Sequence, residues 1–218
     1  VRVLLLCLLA AAAYGQVADK ANARYRTAEG REGMLVTLGA PDRPDRIHAE
    51  TIVKVLKIKP GQTVADIGTG AGALLNVLAP SVGEQGKVYA EDIFDDFLSA
   101  ARKRHAGAKN ITFVLGNEKD VKLPEGCCDV AVTVDAYHHY DYPAEMLASI
   151  HKALKPGGRF AVVDYYRRPG AMGPGGNPME HIRIDKDAVI AEVQAHGFKL
   201  LETTDTVAGS QYIAVFTR

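Results

Sequence analysis

The stretch Val64-Ala-Asp-Ile-Gly-Thr-Gly-Ala-Gly72 limits the fold of this chain more than any other. It follows the turn signal Lys59-Pro60-Gly61-Gln62, and its apolar, β-branched run Thr63 to Ile67 reads as a buried strand. Glycines then stand at alternate positions, Gly68, Gly70 and Gly72, before the apolar pattern Ala73, Leu74, Leu75, Val77, Leu78, which reads as a helix. Strand, glycine loop and helix open a nucleotide-binding α/β unit, because the loop turns sharply and lets a ligand lie against bare backbone. The spacing is GxGxG, whereas a dinucleotide loop is GxGxxG. Asp66 also ends the strand, where it would repel a pyrophosphate and attract a ligand carrying positive groups.

About 20 residues past Gly72 a second run, Lys87-Val-Tyr-Ala90, ends in Glu91-Asp92, and an acid at such a strand tip can accept both hydroxyls of a ribose. Further strands are predicted near 111–115, 129–134, 159–164, 198–204 and 210–217. Helices are predicted from Arg43 to Leu56 (Asp45 as N-cap and Ile47, Ile52, Val53, Val55 and Leu56 as its buried stripe), near 73–80 and 95–105, from Pro143 to Leu154, and near 185–196. Lys155-Pro-Gly-Gly158 reads as a tight turn before the fifth strand, and Gly197 as a helix stop. Such alternation implies an α/β, Rossmann-like, doubly wound sheet with helices on both faces.

VADIGTGAG, GKVYAEDI, CDVAVTVDAYHH and LKPGGRFAVVDY, in this order, resemble the class I S-adenosylmethionine-dependent methyltransferases over roughly residues 45 to 217. The resemblance implies seven strands in the order 3-2-1-4-5-7-6 with strand 7 antiparallel, S-adenosyl-L-methionine as cofactor, and methyl transfer as the reaction. It also implies the cofactor site. Gly68, Thr69, Gly70 and Gly72 would line the methionine half, and Asp66 would serve its ammonium. Asp92 would take the ribose, with Ile93 beside it, and Asn117 and Glu118 would meet the adenine. Glu91 occupies a position that is usually apolar in the family, and Asn117 one that is often Asp.

Methyl transfer from a sulfonium needs positioning more than acid–base power, so the acceptor side is harder to read. Asp135-Ala-Tyr-His-His-Tyr-Asp-Tyr142, at the end of the fourth strand, offers Asp135, Tyr137, His138 and His139 as candidate catalytic groups, with Asp135 also able to reach the cofactor. Either imidazole could be a general base, and aromatic faces here, with Tyr165 and Tyr166 at the end of the fifth strand, suit a sulfonium. The rival metal reading of the His pair lacks a third ligand at a recognisable spacing, so no metal site is expected. His181 and Arg183 follow a Pro/Gly-rich loop, 167 to 180, and could close over the site, Arg183 holding an acidic group of the substrate.

Residues 1–15, an arginine followed by a short apolar run and small residues, read as a signal peptide cut after Ala13 or Gly15. This points to export, periplasmic or secreted, with no stable membrane insertion after cleavage; without that signal the protein would be cytoplasmic. Residues 16–45 read as a loosely helical extension, either a lid over the substrate or a tether, and 46–218 as the cofactor-binding domain. The zero net charge, and the lack of any basic cluster interleaved with aromatics, give no sign of nucleic-acid binding; the expected partner is a small-molecule methyl acceptor. Adjacent Cys127 and Cys128 read as small apolar residues, not as a disulfide or a metal pair. Two other functions fit the same residues. One is a binding module of this fold without transfer activity. The other is an NAD-dependent oxidoreductase, which GxGxG and Asp66 disfavour.

Overall fold

The computed structural model describes residues 17–218, so the signal peptide expected at 1–15 lies outside the described residues. The extension folds as α1 (Asp19–Asn22), a 3-10 turn (Ala23–Arg26) and α2 (Ala28–Leu38), the last capped by Thr27, whose hydroxyl accepts the Gly30 N–H. Then come α3 (Arg43–Arg46), α4 (Ala49–Leu56), β1 (Thr63–Ile67), α5 (Leu75–Val82), β2 (Lys87–Asp92), α6 (Asp95–Arg104), β3 (Ile111–Leu115) and β4 (Cys128–Val134). A 3-10 turn (Tyr137–His139) leads to α7 (Pro143–Ala153), β5 (Leu154–Tyr165), α8 (Pro178–His181), α9 (Lys186–Ala195), β6 (Lys199–Val207) and β7 (Gln211–Thr217).

The seven strands form one sheet in the order β3-β2-β1-β4-β5-β7-β6. The pairs from β3 through β5 are parallel, and β7 runs antiparallel to both β5 and β6. This is the order and direction the family resemblance implied. The period of two along each strand divides the core between the sheet's faces. Val64, Val130, Val132, Ala161, Val163 and Val215 pack with Ile52 and Leu56 of α4 and Leu75, Leu78 and Val82 of α5. Ala65, Ala131, Phe160, Val162, Ala214 and Phe216 pack with Leu147 and Ile150 of α7 and Val189 and Val193 of α9. The central strands are apolar on both faces because both are covered, so their carboxyl ends open onto the loops that make the site.

Two elements differ from the sequence reading. The helix expected over Arg43–Leu56 is two helices, broken where His48 takes left-handed backbone (φ 52°); Asp45 therefore lies inside α3 and caps nothing. Lys155-Pro-Gly-Gly158 is not a free turn but the start of β5. The strand bulges there, so that Cys128 pairs with Leu154 while Val130 pairs with Arg159. Cys127 and Cys128 are both free thiols, the second fully buried, as expected of small apolar residues. Among the described residues no helix is long and apolar enough to cross a membrane.

Candidate active site

The carboxyl ends of β1, β2 and β4 open into a cavity of about 470 Å³, within the range of small-molecule sites. Its floor is the glycine loop. Gly68 holds φ +74°, and a Cβ there would stand 2.8 Å from the Cβ of Ala136, so only glycine lets the β1 and β4 loops meet. The N–H groups of Gly68 and Thr69 donate to the Glu91 carbonyl at 2.9 and 2.8 Å, which ties the loop to the end of β2.

Three buried acids face this floor: Asp66, Glu91 and Asp92, none more than 5% exposed. Asp66 accepts the Thr69 hydroxyl at 2.7 Å. Asp92 accepts the N–H of Gly70 at 2.8 Å and that of Phe94 at 3.0 Å. Glu91 receives only a long contact from the Gly68 N–H, at 3.4 Å, and its Oε1 is buried without a partner. Room for the Glu91 carboxylate exists because residue 116 is glycine; a Cβ there would collide with Oε1. Burial pushes all three acids upward, Asp66 to about 7, Asp92 to about 6, and Glu91 well above the usual carboxylate range; the Asp92 charge adds to the shift of Asp66 and Glu91, and Asp96 to that of Asp92. Thr69 and backbone N–H groups hold them back only in part. Burial disfavours the ionised form of all three acids around this bare-backbone loop, and a cationic ligand would favour it.

The roof comes from the extension. The Tyr25 ring stacks on Phe94 (centroids 6.1 Å apart) and meets His139 edge-on at 4.8 Å, while Arg31 binds Asp96 of α6 at 2.7 Å. The Ala18 N–H donates to Asp141 at 3.1 Å, and the side-chain amide of Asn22 donates to the carbonyl of His139 at 2.9 Å. The extension is thus built into the site. Tyr25, Arg43 and Phe94 line the cavity without having been assigned to it from the sequence, where Arg43 served only as a helix start; Phe94's place, two residues past Asp92 and just before α6, was the one local signal available.

Asp135 sits in left-handed backbone (φ 50°), with one carboxylate oxygen bound by Arg43 at 2.6 Å and the other by the Gln211 amide at 2.7 Å. Burial raises its pKa, against the pull of Arg43. With both oxygens engaged, Asp135 shapes the cavity wall.

Of the candidate residues, Asp66, Gly68, Thr69, Gly70, Asp92, Ile93, Glu118, Asp135 and His139 line the cavity. Gly72, Asn117, Tyr137 and His138 do not. Gly72 turns its carbonyl toward His105 Nε2 at 2.9 Å, and Asn117 spends its side-chain oxygen on the Lys119 N–H. Tyr137 was expected among the catalytic groups, but the 3-10 turn directs it into the core, fully buried, with its hydroxyl donating to Glu192 at 2.6 Å. Arg183 is likewise turned away from the cavity, forked onto Glu192 at 3.0 and 2.5 Å. Tyr166 packs in the core and donates to Asp205 at 2.7 Å.

The imidazoles form a group that the sequence argument did not foresee. His138 donates from Nδ1 to Asp164 at 2.7 Å, and its Nε2 lies 3.1 Å from Nε2 of His181, at the end of α8. His139 and His181 are held below the ordinary histidine pKa, the second at about 4, by burial and by neighbouring imidazoles. Burial opposes protonation of His138 too, but Asp164 outweighs it and raises its pKa.

A doubly wound sheet of order 3-2-1-4-5-7-6, with a glycine loop after the first strand and a buried acid at the tip of the second, both lining the cavity at its switch point, is the arrangement of nucleotide-binding α/β proteins. The sequence model of the methyltransferase domain family matches residues 65–162. The crystal structure of a SAM-dependent methyltransferase from Aquifex aeolicus superposes with a TM-score of 0.78 at 25% identity, covering 85% of this chain and 97% of that one. The matched domain and the fold are those of the class I S-adenosylmethionine-dependent methyltransferases. The chain is 30% identical over 128 residues to the ubiquinone/menaquinone biosynthesis C-methyltransferase UbiE of Ectopseudomonas mendocina, covering 57% of this chain and 50% of that protein. It is also 30% identical over 123 residues to the demethylmenaquinone methyltransferase of Symbiobacterium thermophilum, covering 55% of this chain and 49% of that protein. The match therefore spans about half the length of these curated relatives.

Proposed function

We propose that this protein transfers the methyl group of S-adenosyl-L-methionine to a small-molecule acceptor. The observation that carries this reading is the set of three buried, upward-shifted acids around the glycine loop, an arrangement that a ligand bearing ammonium and sulfonium charges would neutralise. When bound, the cofactor supplies a methyl carbon on a cationic sulfur, and its transfer leaves a neutral thioether.

The chain's own residues do the rest. The loop from Gly68 to Gly70 brings backbone close to the ligand, and Asp66 and Asp92 receive its cationic and hydroxyl groups. The roof of Tyr25, Phe94 and Arg43 keeps water from the reacting atoms. On the acceptor side, Asp135 has both oxygens occupied and Tyr137 faces the core, so His139 is the candidate group left to touch the acceptor. A cavity of about 470 Å³, shared by cofactor and acceptor and roofed by the extension, favours a small acceptor over a macromolecule. The names of the curated relatives point to carbon as one acceptor atom.

Isothermal titration with S-adenosylmethionine and with its demethylated product tests the cofactor half; no binding at millimolar ligand by folded protein would end this reading. Labelled methyl incorporation into fractionated cell extract tests the acceptor half, with label expected in low-mass fractions. Titration with NADH should give no binding. Export, which rests on residues 1–15 alone, is tested by sequencing the N-terminus of protein from the periplasm or medium, with Tyr14 or Gln16 expected first.

A further inference from the structure

We propose that His138, His139 and His181 form a binding site for a divalent transition-metal ion of the zinc type, at the wall of the methyl-transfer cavity. One ligating atom from each of these residues lies within 4.8 Å of the others. A tetrahedral ion with bonds of about 2.0–2.1 Å to imidazole nitrogens needs those nitrogens about 3.3 Å apart. The Nε2 atoms of His138 and His181 are already at 3.1 Å, so modest ring rotations bring the third ligand in. The three ring pairs, with centroids 4.1, 4.8 and 5.2 Å apart, are tilted or edge-to-face and none is stacked.

The hydrogen bonds around the cluster orient it for ligation. A metal-binding imidazole commonly gives its other N–H to a carboxylate or carbonyl oxygen, which fixes the tautomer and the ring. His138 gives Nδ1–H to Asp164 at 2.7 Å, and Asp164, itself buried, also accepts the His138 backbone N–H at 3.1 Å. His139 gives Nδ1–H to the Asn22 side-chain oxygen at 2.8 Å, and that amide is fixed in turn by its bond to the His139 carbonyl. Both rings are left with an Nε2 lone pair, and no described protein group donates to that of His139. The Asp164 carboxylate offsets part of an ion's charge. Three ligands from two elements, the 3-10 turn after β4 and the end of α8, with His181 carried 42 positions beyond His139, have no sequence spacing to reveal them.

Three protein ligands leave a fourth position, the arrangement of catalytic and not of structural sites. His139 lines the cavity whereas His138 lies behind it, so that position faces the acceptor. Resting on the methyl-transfer reading, this assigns the acceptor an ionisable oxygen or sulfur, a hydroxyl or a thiol, which binds the ion as its anion after releasing its proton to solvent. His139 then acts as a ligand and not as a base.

Full-length protein, freed of metal by chelation and dialysis, should bind one equivalent of Zn²⁺ in a titration calorimeter, and Co²⁺ should give the visible bands of a tetrahedral nitrogen site. His181→Ala should weaken Zn²⁺ binding by on the order of 100-fold or more, and Asp164→Asn by on the order of 10–100-fold. His181 is a partly exposed residue at the end of the short helix α8 and does not line the cavity, so its variant should fold and keep wild-type affinity for S-adenosylmethionine, which separates failure of the metal site from failure of the cofactor site. A simple thiol added to the Co²⁺ form should shift its spectrum; an unchanged spectrum would remove the open position. Wild-type protein that takes up no Zn²⁺ below millimolar concentration, or a His181→Ala variant that binds it equally tightly, would overturn the proposal.

Discussion

Asp66→Asn is the most informative single change to the cofactor floor. Burial, joined by repulsion from Asp92 and only partly opposed by the Thr69 hydrogen bond, lifts Asp66 from 3.8 to about 7. A carboxyl whose pKa is higher folded than unfolded keeps its proton in the native state while the unfolded chain releases it. Native stability therefore falls as pH rises from about 4 to about 7, then stays level. At about 1.36 kcal/mol per unit, roughly three units amount to about 4 kcal/mol given up by the ligand-free protein above neutrality. Asn keeps an oxygen for the Thr69 hydroxyl and removes the titration. The variant should thus match the wild type near pH 4 and exceed it by up to about 4 kcal/mol at pH 8, measured by urea denaturation without ligand. Its affinity for S-adenosylmethionine should fall roughly 10-fold or more, because a charge-assisted contact to the ligand is gone. Wild-type affinity should itself weaken as pH drops below about 7, with protons released on binding near neutrality. A variant less stable than wild type at pH 8, or one that binds the cofactor as well as wild type, would refute the claim that this acid is held at a stability cost for a cationic ligand.

Asp92→Ala should weaken cofactor binding by about 1–3 kcal/mol, read by calorimetry. Because Asp92 also accepts the Gly70 and Phe94 N–H groups, melting should show a loss of about 1–3 kcal/mol as well. Arg43→Met leaves Asp135 buried with only Gln211 for a partner and should cost about 3–5 kcal/mol in denaturant unfolding. Adding Asp135→Asn should recover most of it, since the unpaired charge is what destabilises. Tyr137→Phe should leave turnover near wild type and cost about 1 kcal/mol in the same assay, because its hydroxyl serves Glu192 in the core.

Local chemistry was enough to read the frame of this protein from its sequence. Glycines at 68 and 70, an acid at each of two strand tips, and period-two apolar runs covered on both faces state their requirements residue by residue, and the sheet order followed from the family those residues resemble. The helix break at His48 and the bulge in β5 were not legible, because each comes from fitting packed elements together and not from local propensity. The acceptor side was read least well for the same reason. A three-residue 3-10 turn decides that Tyr137 enters the core, that His138 meets Asp164, and that His139 reaches the cavity, and one residue along such a turn rotates a side chain by about a third of a circle. Tyr25, Asn22 and His181 join this site across long stretches of chain. No spacing in the sequence encodes those meetings; docking of the extension and of the α8 loop onto the finished sheet produces them.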